Sequence, residues 1–312
     1  MTGRAGRIGA QAGLALALCL LAAGDFRAQE RPPFRAGVLT VPVTVTVTDA
    51  NGRLVTGLTI DDFEIYENGV AQPVTLLTDE RVPVSLGVLL DTSDSMRGEP
   101  IVDARTAVDQ FLTGLLLPED EAFVAFFNHE ARLAATWTRP PANLPPLLAP
   151  IQPFGATSIY DAIIDTAPLF AGRAHPRAAL VVISDGADTA SLRSVADVRN
   201  VTRRSEAFVY AIGIDNPEGR RLSTRVNPEA LNDITGPSGG YTEIIGSAAE
   251  LGPATRRIAE ELNSQYTLAY TPTEPPDGAW RTILVRVRDR DLYTRARRGY
   301  YAMPDRPAFT LP

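Results

Sequence analysis

Between Val38 and Leu58 apolar and polar side chains alternate, with Val43, Val45 and Val47 set against Thr44, Thr46 and Thr48. A period of two is the signature of a half-buried strand, and "DANGR" supplies the turn after it. Pro42 cannot donate to a ladder, so an edge position is expected at that point. "DFEIYENGVAQPVTLL" repeats the design as strand, Asn68-Gly69 turn and strand. At Pro83 the pattern changes. "VSLGVLL" (84–90), "AFVAFF" (122–127), "AALVVIS" (178–184) and "AFVYAIGI" (207–214) are apolar without clean alternation, as parallel strands covered on both faces are. Between them lie segments of helical spacing. Ile101, Ala104, Val108, Phe111, Leu112 and Leu115 follow Pro100, and Ile159, Ala162, Ile163 and Ala167 form a second series.

"SLRSVADVRNVTRRSE", a short segment at Pro228 and a stretch from Ala248 to Ser264 complete the helices, with "GYTEII" as a further strand and "ARLAATW" as an edge strand. Strands alternating with helices predict a doubly wound, mostly parallel sheet with one antiparallel edge strand. Hairpin style then returns in "YTLAYTP", "RTILVRVR" and "YTRARRGYYA", read as three strands. Two separate β domains of this size would each have a poor core. The expectation is therefore one β-sandwich, built from residues 38–80 and 265–303, with an α/β domain at 83–263 inserted between its halves.

Composition narrows the function. The chain of 312 residues is 45% hydrophobic and 21% charged, ordinary for a globular protein. A net charge of -7 argues against a nucleic-acid partner, which needs a basic surface. Arg4 and Arg7 precede the apolar run "LALALCLLAAG", short for a membrane span of roughly 20 residues, so residues 1–29 are expected to be a cleaved signal peptide. Cys19 lies inside that run, so the exported chain, periplasmic or secreted, has no disulfide to stabilise it.

Three polar loops fall where chemistry is expected, at carboxyl ends of strands or the start of a helix. They are "DTSDS" with Asp91, Ser93 and Ser95, "GATS" with Thr157, and "SDGAD" with Asp185. Residues i, i+2 and i+4 off a strand end can share one centre. Hydroxyls and carboxylates without imidazole or thiolate suit a hard cation, Mg²⁺ or Mn²⁺, whereas zinc prefers His or Cys. Any one such loop taken alone is ordinary helix-capping chemistry. The coincidence of three is what points to a metal.

On these residues the segment 83–263 resembles a von Willebrand factor type A domain, and the three loops resemble its metal ion-dependent adhesion site. The resemblance implies Asp91, Ser93, Ser95, Thr157 and Asp185 as the metal set, holding Mg²⁺ (or Mn²⁺ or Ca²⁺), some directly and others through water. It also implies an open position for a carboxylate from a partner protein. Ala156 stands where many members have a second glycine. "VTDANGRLVTGLTIDDFEIYENG", "GATSIYDAI", "EELNSQYTLAYTP" and "RARRGYYA" resemble exported A-domain proteins of Acidobacteria.

The expected function is a divalent-metal-dependent protein-binding module for adhesion or assembly, not an enzyme and without a transmembrane segment after signal cleavage. The alternatives are a hydrolase using the same metal to activate water and a structural envelope protein whose metal only stabilises the loops. "GPSGG" (236–240) satisfies a serine-hydrolase pattern, but it precedes a strand instead of following one, so it reads as a turn. His129 and His175 read as exposed loop residues, Asp94 and Asp188 as solvated carboxylates, and Arg203-Arg204 and Arg256-Arg257 as solvated helix faces.

Overall fold

A computed structural model describes residues 40–148, 151–215 and 225–304; the expected signal peptide lies outside them. Six strands form the central sheet: β5 (Val84–Asp91), β6 (Glu121–Phe127), β7 (Ala131–Thr138), β8 (Arg177–Ser184), β9 (Phe208–Ile214) and β10 (Thr242–Ile245), in the order β10-β9-β8-β5-β6-β7. All neighbours are parallel except the edge strand β7, which runs antiparallel to β6. Every residue of β5 and β8 is buried, which explains their lack of alternation.

One face of the sheet packs on α1 (Glu99–Gln110) and α5 (Leu251–Asn263) through Val88, Val108, Phe111, Leu251 and Ile258. The other packs on α2 (Ile159–Thr166), α3 (Val195–Ser205) and α4 (Pro228–Thr235) through Leu89, Phe123, Ile163, Val198 and Ile234. Gly87 lets the layers close, since a Cβ there would stand 2.4 Å from the Phe123 ring. The chain leaves β5 toward β6 on one side, while β8 pairs on the other, so the switch point lies between β5 and β8. Among the described residues no helix is long and apolar enough to cross a membrane.

The flanking segments build two antiparallel four-stranded sheets. One has the order β13-β1-β11-β4, from Tyr293–Ala296, Val41–Thr48, Tyr266–Tyr270 and Val74–Thr78. The other has the order β14-β12-β2-β3, from Gly299–Tyr301, Trp280–Val287, Phe63–Glu67 and Val70–Gln72. Val43, Val45, Phe63, Ile65, Tyr266, Leu268, Val285 and Tyr300 share one core between them. The turn joining β2 to β3 has positive φ at both Asn68 (49°) and Gly69 (81°), the conformation an Asn-Gly pair favours.

Two expectations change in detail. The hairpin at "DANGR" reduces to a single bridge between Thr48 and Leu54. "YTRARRGYYA" is not one strand: it divides between β13 and β14, which lie in different sheets. Arg297 turns inward at the break, donating to the Pro42 carbonyl at 2.7 Å, and Gly299 passes so close to β12 that a Cβ would meet the Arg281 carbonyl at 2.3 Å. Pro42 sits where β1 is paired only with β11, the β13 pairing starting at Val45.

Apart from the β2–β3 hairpin and the Thr48–Leu54 bridge, the strands of residues 38–80 pair with strands C-terminal to the α/β domain. A fragment of residues 38–80 alone is thus expected to stay unfolded, while 83–263 folds alone. Dispersed amide resonances and a cooperative melt from 38–80 would refute this.

Candidate metal centre

The carboxyl ends of β5 and β8 meet at the switch point, and the side chains there form a continuous polar chain. Asp91, the last residue of β5, accepts the Ser93 backbone N–H at 2.8 Å on one oxygen and the Ser184 hydroxyl at 2.6 Å on the other. The Oγ atoms of Ser93 and Ser95 lie 3.0 Å apart, and Ser95 Oγ donates to Asp185 Oδ1 at 2.6 Å. Asp91, Ser93 and Asp185 are buried, while Ser95 is exposed. Four of the five candidate residues therefore fall in one network.

Thr157 belongs to a second wall of the same cleft. The loop before α2 is drawn in by Phe154 N–H to the Thr92 carbonyl (2.9 Å) and Asp94 N–H to the Gly155 carbonyl (2.9 Å). Gly155 has φ +80°, a conformation that favours glycine, and a Cβ there would also meet the exposed His129 ring at 2.9 Å. The Thr157 carbonyl accepts from Thr189 and Ala190 N–H at 2.9 and 3.0 Å, which ties the third loop to the second. Ser93, Ser95, Gly155, Ala156, Thr157, Gly186, Ala187 and Thr189 line an open cleft of about 180 Å³.

Burial pushes the Asp91 carboxyl up to about 7; the nearby Asp185 adds to the rise, and the hydrogen bonds from Ser184 and Ser93 oppose it. Two acids and three hydroxyl residues around one small cleft are a donor set that a hard divalent cation fits. Among the described residues there is no cluster of three or more His, Cys, Asp or Glu placed for a metal, so the donors here are hydroxyl-rich.

The remaining candidates resolve individually. Asp94 is solvated, its carboxyl held below the usual range by a hydrogen bond from Arg97. Asp188 is not simply solvated: it accepts from Tyr160 N–H (2.9 Å), Ser191 N–H (3.1 Å) and Ser191 Oγ (2.6 Å), joining the third loop to the first turn of α2. Asp161 adds to that anchor through Leu192 and Arg193 N–H at 2.9 and 3.1 Å. His129 is exposed, but His175 is half-buried, its backbone N–H donating to Ser85 Oγ at 3.1 Å. Ser238 of "GPSGG" is buried and donates to the Thr235 carbonyl at 2.6 Å, a turn as expected. Arg203 and Arg204 are exposed yet not merely solvated, lying over the Trp280 and Tyr301 rings at 4.9 and 5.3 Å.

Sequence reasoning missed Ser184, Asp161 and Asp188 as the residues that hold the loops. Ser184 carried a signal, since it immediately precedes Asp185 at a strand end.

Residues 86–187 match the family model described as the von Willebrand factor type A domain. No curated protein matches the sequence. Among solved structures, a von Willebrand factor type A protein from Catenulispora acidiphila is 13% identical, with a TM-score of 0.51 over 87% of this chain and 76% of its own. Proximal thread matrix protein 1 from mussel byssus is 14% identical, with a TM-score of 0.51 over 63% of this chain and 50% of its own. An aerotolerance-related membrane protein from Bacteroides fragilis is 22% identical, with a TM-score of 0.49 over 58% of this chain and 98% of its own. At these identities the likeness to the first two is one of fold. The family-model match lies within the α/β portion of this chain, from β5 into the loop after β8.

Proposed function

We propose that the chain is an exported protein-binding module, for adhesion or assembly, whose grip on a partner depends on a divalent cation. The observation that carries this reading is the polar chain Asp91–Ser93–Ser95–Asp185 at the switch point, with Thr157 lining the same cleft. Those five residues would hold the ion. Once bound, the ion supplies an electrophilic position suited to a carboxylate of the partner protein.

The chain's own residues do the positioning. Ser184 and the Ser93 N–H fix the Asp91 carboxylate, and Asp161 and Asp188 hold the third loop against α2. The acids flanking the cleft are engaged elsewhere, Asp94 with Arg97 and Asp188 with α2, which supports binding over catalysis. Oxygen donors favour Mg²⁺ or Mn²⁺, with Ca²⁺ as a further candidate. The mussel protein is described with a zinc-occupied adhesion site of this type, so zinc belongs in the same competition. Export rests on the apolar leader-like run, and the negative net charge fits a protein partner better than a nucleic acid.

The test is capture from envelope extract by the mature protein in Mg²⁺, in EDTA, and with Thr157→Ala in Mg²⁺. The expected partner is held by the wild type in Mg²⁺ and lost in the other two conditions. Equal retention in all three would rule out metal-bridged binding, and release of a hydrolysed product would favour an enzyme.

A further inference from the structure

Leu192 is 95% exposed, the most exposed of the large apolar side chains among the described residues. Its backbone is held, since Leu192 and Arg193 N–H both donate to Asp161 and Ser191 N–H donates to Asp188. A leucine so fully in water on an anchored loop contributes almost no buried apolar area to the fold. It lies three residues beyond Thr189, which lines the metal cleft.

Phe154, 41% exposed, adjoins Gly155 on the second loop of that cleft. The His129 ring meets it edge-on, with centroids 5.7 Å apart, and the exposed Arg132 guanidinium lies 5.5 Å from its ring centre. Among the described residues Arg132 has no carboxylate at ion-pair distance, so its charge beside the apolar ring is not neutralised by an acid.

We propose that Leu192 and Phe154 are specificity-determining anchors, and that the partner is an extended protein segment whose acidic side chain is flanked by apolar residues. The inference rests on the metal-bridged reading and adds what surrounds the carboxylate. Charge argues for the acid, because the bound cation and Arg132 are both positive. The two exposed apolar side chains argue for its neighbours, because an acid alone would leave them in water.

The probe is a displayed peptide library with a fixed central aspartate and three randomised positions on each side, panned against the full chain in Mg²⁺ and in EDTA. Apolar residues should be enriched beside the aspartate in Mg²⁺ only. Leu192→Ser and Phe154→Ser should each weaken the selected peptides roughly tenfold or more, the scale of one lost apolar contact of this size. Both variants should keep the Mg²⁺-induced rise in melting temperature.

Mg²⁺-dependent peptides without an apolar preference, or with one that neither variant alters, would overturn the proposal and leave the metal site standing. No Mg²⁺-dependent peptides despite an intact thermal shift would also overturn it. If the wild type shows neither peptides nor a thermal shift, the metal reading fails as well.

Discussion

Mg²⁺ is expected to raise the melting temperature of the wild-type chain and to leave that of Asp91→Ala unmoved. An ion that binds the folded state alone stabilises it by about 2.7 kcal/mol at one hundred times its dissociation constant. At ~2–4 °C per kcal/mol for a chain of this size, that is a rise of roughly 5–10 °C. Asp91 is fully buried at the end of β5, and both of its carboxylate oxygens are fixed by hydrogen bonds from Ser93 and Ser184. The fold should survive its loss. Val84, Leu86, Val88, Leu89 and Leu90 remain buried, and β5 stays paired with β6 on one side and β8 on the other. Calorimetric titration of both proteins gives the same answer without heating. If the variant takes up Mg²⁺ as the wild type does, the ion is bound elsewhere.

The α/β half of this molecule was legible because its signals are redundant. An uninterrupted apolar run such as Val84–Leu90 has few ways to be buried other than between two helical layers, and the helices announce themselves by three-and-four spacing. The candidate residues were legible for a related reason: a polar burst directly after a buried strand must either reach water or converge on something. Ser184 went unassigned because its role, donating to Asp91 at 2.6 Å, depends on β8 lying beside β5, which no local pattern states. Asp161 and Asp188 were missed in the same way, since their partners come from the neighbouring loop and helix.

Long-range strand pairing was the least legible part. Alternation in "YTRARRGYYA" predicts a strand but not which sheet, and the division at Arg297 depends on the Pro42 carbonyl far away in sequence. Arg203 and Arg204 read as solvated because a helix wheel cannot see Trp280 and Tyr301, the rings they cover. Alternation did contain one unused clue. In β2 it puts Phe63, Ile65 and Glu67 on one face, and in β12 it puts Arg281, Ile283 and Val285 on one face, so each strand carries a charge toward the core.

Those two charges set the largest stability effect expected in the sandwich. Glu67 and Arg281 are paired at 3.1 Å with only 4% of either side chain exposed. Glu67 also accepts from Tyr300 OH at 2.8 Å and from Tyr270 OH, so one carboxylate on the N-terminal strand β2 satisfies donors from three C-terminal strands. Burial raises both phenols, Tyr300 to about 12, and they stay protonated donors at neutral pH. Glu67→Ala removes the acceptor and leaves a buried guanidinium and two hydroxyls without it. Breaking a buried pair from one side costs about 3–5 kcal/mol, enough to consume a large part of a typical domain's stability. Glu64→Ala, on the same strand but the outer face, is the control. Its pair with Arg288 spans 3.7 Å with 66% of the arginine side chain exposed, and such surface pairs contribute roughly 0–1 kcal/mol. In urea unfolding the Glu67 variant should show a clearly lower midpoint and the Glu64 variant almost none. Equal, small losses in both would mean that the Glu67 cluster does not join the two halves of the sandwich.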